Sequence, residues 1–164
     1  MKLESLKELF VHELQDLYSA ENQIIKALPK MADKASSPEL KSALQEHLQE
    51  TKGQLRRLDQ IFDQIQDVDR DDEKCKGIEG IIKEGSDMLG EDADADVLDA
   101  GIIAAAQRVE HYEIAAYGTV RTYANLLGKQ NWAELLQQTL SEEKAADQKL
   151  NALAEHINME AQAA

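Results

Sequence analysis

Leu3, Leu6, Phe10, Leu14, Leu17, Ile24 and Leu28 fall three, four or seven residues apart. At ~100° per residue this spacing lines one face of a helix, and it predicts a long first helix, A. Pro29 should kink or weaken its last turns. The stretch "KASSPEL" offers serines suited to capping and places Pro38 at a first helical position. A second helix, B, follows, with Leu40, Leu44, His47, Leu48, Leu58 and Ile61 on its inner side. A third, C, is expected from about Val97 to Leu126, on Ile102, Ala105, Val109, Tyr112, Ala116 and Val120. "LGKQN" is a short turn in which Gly128 supplies a helix stop. The fourth helix, D, carries Trp132, Leu136, Leu140, Leu150, Leu153 and Ile157.

From Asp67 to Asp96 the pattern changes to "DVDRDDEKCKGIEGIIKEGSDMLGEDADAD". This is too long for a tight turn between neighbours. Its apolar piece around Ile78, Ile81, Ile82, Met88 and Leu89 predicts a short helix lying across the domain. Two hairpins with short turns, joined by one long connection, give an all-α expectation: a ferritin-like antiparallel four-helix bundle whose B–C crossover contains a short helix. With only 8 Gly and 2 Pro in 164 residues, few breakers oppose long helices. We read residues 1–160 as a single domain and 161–164 as a frayed tail.

Charge narrows the partners. Asp and Glu number 32 against 18 Lys and Arg, a net charge of -14. Nucleic acid and anionic membrane surfaces are bound mainly through basic side chains, so neither is an expected partner. The start, "MKLESLKELF", is amphipathic from its first turn and lacks a secretory signal pattern. No stretch approaches the roughly 20 apolar residues that span a bilayer. The single cysteine, Cys75, cannot form an internal disulfide. A cytoplasmic protein is the expectation. There is no phosphate-binding glycine loop and no local nucleophile–base motif, so no catalytic residue is named.

Acidic residues interrupt the apolar stripes. Glu13 and Glu21 fall within the stripe of helix A, with Asp16 toward its edge. In helix B, His47 lies near the stripe centre and Glu50 on its flank. Helix C places Glu113 well inside, with Glu110 closer to the edge. Helix D has Glu143 at the centre, Asp147 one turn on and Glu142 to one side. Height is a second filter. Measured from a turn near Ala35, Glu21 is level with Glu50, whereas Glu13 falls near Arg57. Measured from Lys129, Glu113 is level with the span from Glu143 to Asp147. Any one such Glu is more often a snorkelling or edge group, and a lone His is more often hydrogen-bonded and half-buried. One layer drawing a carboxylate from each helix is harder to dismiss, because burying like charges together is unfavourable without a cation or protons. Tyr18, Tyr112 and Tyr117 can line the same region. Cys75, His12, His111 and His156 have no supporting constellation and read as structural or surface residues.

The segments "LQDLYSAENQIIKALPKM", "EHLQETKGQL", "VEHYEIAAYGT" and "SEEKAADQKL", in this order and spacing, resemble the bacterial YciF/YciE-type proteins. That group is ferritin-like and linked to stress responses, and the likeness runs through "CKGIEGIIKEG" in the crossover. The resemblance implies a bundle with a dinuclear metal centre and assembly as a homodimer through bundle faces. Its acidic and histidine positions fall on Glu21, His47, Glu50, Glu110, Glu113 and Glu143. The wider di-iron pattern of Glu-x-x-His is absent: His47 precedes Glu50, and Asp147, four residues after Glu143, is the candidate to substitute in helix D. A site with one histidine and several carboxylates suits iron or manganese, and also magnesium or calcium. Two functions follow. The first is a metal-binding stress-response protein whose iron or manganese pair reacts with oxygen or peroxide. The second is a non-catalytic structural or interaction scaffold with an empty, protonated or Mg-filled carboxylate layer.

Overall fold

The computed structural model describes residues 3–66, 68–70 and 73–164. Among these residues there are five helices: α1 (Leu6–Lys34), α2 (Pro38–Phe62), α3 (Lys76–Leu89), α4 (Ala95–Leu126) and α5 (Gln130–Ala163). Among the described residues there is no strand, so the chain is all-helical. None of these helices is long and apolar enough to cross a membrane.

Local chemistry sets the helix ends. Ser5 caps α1 by accepting from the Glu8 N–H at 3.2 Å, and Ser37 caps α2 by accepting from the Leu40 N–H at 3.3 Å, with Pro38 opening that helix. The end of α4 is a Schellman turn. The Lys129 N–H reaches the Ala124 carbonyl at 2.9 Å and the Gly128 N–H reaches Asn125 at 3.0 Å. Gly128 has φ +70, where a side chain would be strained. Pro29 does not end α1, which runs on to Lys34. Proline withholds one N–H from the Ile25 carbonyl, while the turns beyond it still bury Ala32. The segment read as a tail from residue 161 is helical as far as Ala163.

α1 packs on α2, α4 on α5, α1 on α4 and α2 on α5, while α3 lies over α1 and α4. Two apolar clusters fill the interior. One gathers Ile24, Leu28, Leu44, Ile78, Ile102 and Leu150, among others. The second gathers Phe10, Leu14, Leu58, Tyr117, Trp132 and Leu136, with Phe10 stacked on Trp132 at a centroid distance of 5.8 Å. On α2, α4 and α5 the buried face passes from one cluster to the other through polar residues. On α2, His47, Thr51 and Gln54 separate Leu44 from Leu58. Glu113 lies between Val109 and Tyr117 on α4, and Glu143 between Leu140 and Leu150 on α5.

Two contacts lock the connecting segments. The buried Asp99 carboxylate on α4 accepts from the backbone N–H groups of Ser36 and Ser37, at 2.8 and 2.6 Å, and so charges the N-terminus of α2. Cys75 caps α3 and its Sγ lies 3.1 Å from the Tyr112 hydroxyl, which donates to Asp16 at 2.8 Å. Gly77 makes this docking possible, since a Cβ there would sit 2.6 Å from the Tyr112 ring.

Candidate metal centre

The polar layer between the clusters is built from α1, α2, α4 and α5. His47, Glu110, Glu113 and Glu143 are all buried, and each brings one ligand-capable atom within 4.8 Å of the others. His47 Nε2 is 3.2 Å from Glu110 Oε1 and 3.9 Å from Glu143 Oε2. Its Nδ1 is 3.2 Å from Glu50 Oε2, which fixes the plane of the ring. Around this group stand polar supports. The Gln54 amide donates to Glu143 Oε1, and also to Glu142 Oε2 at 3.2 Å. The Tyr117 hydroxyl donates to Glu21 Oε1. Arg57 holds Glu142 and donates to Thr139 Oγ1 at 2.9 Å, facing a positive group toward the layer from one side.

These supports leave much unsatisfied. Oε2 of Glu21, of Glu110 and of Glu143, and both oxygens of Glu113, are buried without a hydrogen-bond partner. Unpaired buried carboxylate oxygens are costly, and either protons or a cation must compensate them. The electrostatics agree. Burial first, and then the charge of Glu143, hold the carboxyls of Glu21, Glu110 and Glu113 well above the usual carboxylate range. Burial opposes an imidazolium at His47, but the Glu50 hydrogen bond and the charge of Glu143 outweigh it and raise the histidine above its ordinary value. Tyr117 is pushed well up by burial and then by the Glu21 charge, so it stays a phenol and a donor. The donor set fits a hard cation, or a pair of them.

The residues singled out in the sequence divide four ways. His47, Glu110, Glu113 and Glu143 come together. Glu21 is fully buried in the same layer, tied to it through Tyr117 and through its repulsion with Glu143, but stands outside the group of four. Glu50 sits at the rim with its side chain 48% exposed and meets the layer only through His47. Asp147 is not brought in. One turn beyond Glu143 it rotates into the α4–α5 seam, where it lies 3.3 Å from both Gln107 and His111 and 3.2 Å from Asn151. Four residues after Glu143, it stands ~40° round the helix from it and outside the group of four. Gln54 was missed. It stands seven residues after His47 on the same stripe, and a polar residue at that phase was the available signal.

A cavity of about 100 Å³ between α2 and α5 reaches His47, Glu50 and Glu110, past Ala43 and Ala146. The Lys149–Glu46 ion pair stands at its mouth. The layer is therefore accessible to water-sized species from that side.

Fold and site together define an all-helical protein with a buried histidine–carboxylate layer at mid-height. Residues 5–163 match the family described as a domain of unknown function, DUF892, and the chain belongs to that family. It is 43% identical to protein YciF of Escherichia coli K12 over 99% of this chain and 98% of YciF. The crystal structure of the E. coli stress protein YciF superposes with a TM-score of 0.90 at 44% identity, covering 94% of this chain and 97% of that one. YcfI of Rhodopseudomonas palustris, described as a candidate structural protein, superposes at 0.87 with 46% identity, over 92% and 95% of the two chains. A Xanthomonas campestris protein at 21% identity and a TM-score of 0.71 shares the fold.

Proposed function

We propose that this protein is a ferritin-like stress-response protein that holds a dinuclear iron or manganese centre. In this reading the four long helices form an antiparallel bundle bridged by the crossover that contains α3. The supporting observation is the buried group of four, whose ligand-capable atoms lie within 4.8 Å of one another and which includes carboxylate oxygens of Glu110, Glu113 and Glu143 that have no hydrogen-bond partner. His47, Glu110, Glu113 and Glu143 would hold the metals, Glu21 would complete the layer, and Glu50 would orient His47. Such a centre, once bound, supplies Lewis acidity and redox chemistry toward oxygen or peroxide. The chain's own contribution is preorganisation. Gln54 and Tyr117 fix Glu143 and Glu21, and the two apolar clusters keep bulk water from both ends of the layer. The stress connection comes from the likeness to E. coli YciF, which is named a stress protein.

Anaerobic titration of metal-free protein with Fe(II), followed by oxygen or peroxide under near-ultraviolet absorbance, tests the proposal. Saturation near about two irons per chain with oxidation to a ferric product is the expected result. Absence of saturable Fe(II) and Mn(II) binding would favour a second reading, a structural or interaction scaffold whose layer is protonated or Mg-filled. Two observations favour that alternative: the raised carboxyls of Glu21, Glu110 and Glu113, and the role suggested for the R. palustris relative. Cytoplasmic residence and a homodimer complete the proposal. The charge of -14 argues against nucleic acid and anionic membrane as partners.

A further inference from the structure

A larger cavity, of about 210 Å³, lies between α1, α3 and α4. Its walls are apolar, built from Ile24, Leu28, Ile81, Ile82, Leu89 and Ala105. Buried Glu110, its Oε2 unpartnered, lines this cavity as it lines the α2–α5 one, so the cavity reaches the layer from the α1–α3–α4 side. At its rim are Lys26 and Lys30, one turn apart on α1 and both exposed. Neither forms an ion pair among the described residues, although acidic groups outnumber basic ones 32 to 18 in this chain. Among the residues that line the cavity, these two lysines are the charged groups at its mouth. The size is informative too. It exceeds the ~150 Å³ that accommodates benzene and falls short of the ~300 Å³ at which drug-sized pockets begin.

We propose that this cavity binds a small organic monocarboxylate, its apolar body inside and its carboxylate between Lys26 and Lys30. The orientation follows from polarity and charge: the apolar walls take the apolar body, and the lysines at the rim attract the anionic head. The inference does not depend on a metal, because every group it uses belongs to the chain. It is tested on metal-free protein, so its failure and that of the metal proposal are separate results.

Octanoate is the probe, titrated calorimetrically beside octanol and octylamine at matched ionic strength. Saturable octanoate binding is expected, stronger than that of octylamine. The exposed double variant Lys26→Glu/Lys30→Glu should weaken octanoate about tenfold, the product of two exposed ion pairs, and leave octanol unchanged. Ala27→Phe, which fills the cavity from a half-buried position, should weaken both. Methyl shifts on Ile81, Ile82 and Leu89 during the titration locate the ligand without any mutation. Octanoate binding equally to the double variant and the parent would overturn the proposal, as would the absence of saturable binding. Conversion of a dimer to a monomer by the double variant, seen in sedimentation, would overturn it as well, assigning the groove to a second copy of the chain.

Discussion

Replacing Glu113 with Gln isolates the electrostatic cost of the polar layer. Glu113 is fully buried and neither of its oxygens has a partner. Burial, then the charges of Glu143, Glu21 and Glu110, raise its folded-state pKa well above the 4.5 of a free carboxyl. Below that value the group is protonated in both states and adds no pH dependence. As pH rises past it, the unfolded chain releases its proton first, so the metal-free protein loses stability until the folded pKa is also passed. His47, also raised, acts in the same direction, while Glu50, lowered by its His47 hydrogen bond, acts oppositely. Gln keeps the side-chain volume and removes the titration. Relative to its effect at about pH 4, Glu113→Gln should stabilise the metal-free protein at about pH 7 by ~1–3 kcal/mol, the upper end set by ~1.4 kcal/mol for each pH unit between the free carboxyl value of 4.5 and neutrality. For a chain of this size that corresponds to a Tm gain of about 2–4 °C for each kcal/mol. Urea melts across this pH range in the presence of a chelator measure it, and taking the difference between pH values cancels the steric cost of the amide. A difference that stays flat with pH, or that grows more destabilising toward neutrality, would refute the picture of a desolvated carboxyl repelled by its neighbours.

Three further predictions, drawn on five substitutions, test other parts of the structure. Glu143→Gln should abolish saturable Fe(II) or Mn(II) binding in the anaerobic titration while Asp147→Asn leaves it intact; equal losses would mean that the α4–α5 seam takes part in the site. Asp99→Ala removes two charge-assisted bonds to the start of α2 and should cost about 1.5–3 kcal/mol, read as a lower urea midpoint at unchanged m-value. Gly77→Ala should cost about 1–3 kcal/mol because Tyr112 is held by both Cys75 and Asp16 and cannot retreat. At Gly101 an added Cβ meets only the flexible Met88 thioether, at 2.6 Å, and the ~1 kcal/mol helix preference of Ala over Gly offsets the contact. Thermal melts that rank Gly101→Ala below Gly77→Ala would contradict this account of how α3 docks.

The sequence by itself determined the helices, because amphipathic periodicity and capping are local. Ser37–Pro38 is a favoured way to open a helix, Gly128 takes the positive φ that suits glycine, and α4 ends at Leu126 as its pattern requires. The inward phase of His47, Glu113 and Glu143 was legible for the same reason: a helix converts residue number into direction at ~100° per step. Tertiary structure decided what lies beyond one helix's own geometry. Glu110 sat near a stripe edge and Asp147 one turn on from the stripe centre, yet the packing of α4 against α5 brought Glu110 into the layer and Asp147 against Gln107 and His111. Gln54 acquired its role only when α2 met α5 and its amide found Glu143. Asp99 looked like one more acid in an acidic chain until the start of α2 arrived with two unsatisfied N–H groups. Phase on a helix is a property of one segment, whereas a hydrogen bond or a buried charge pair depends on two, and their meeting is set by how the whole interior packs.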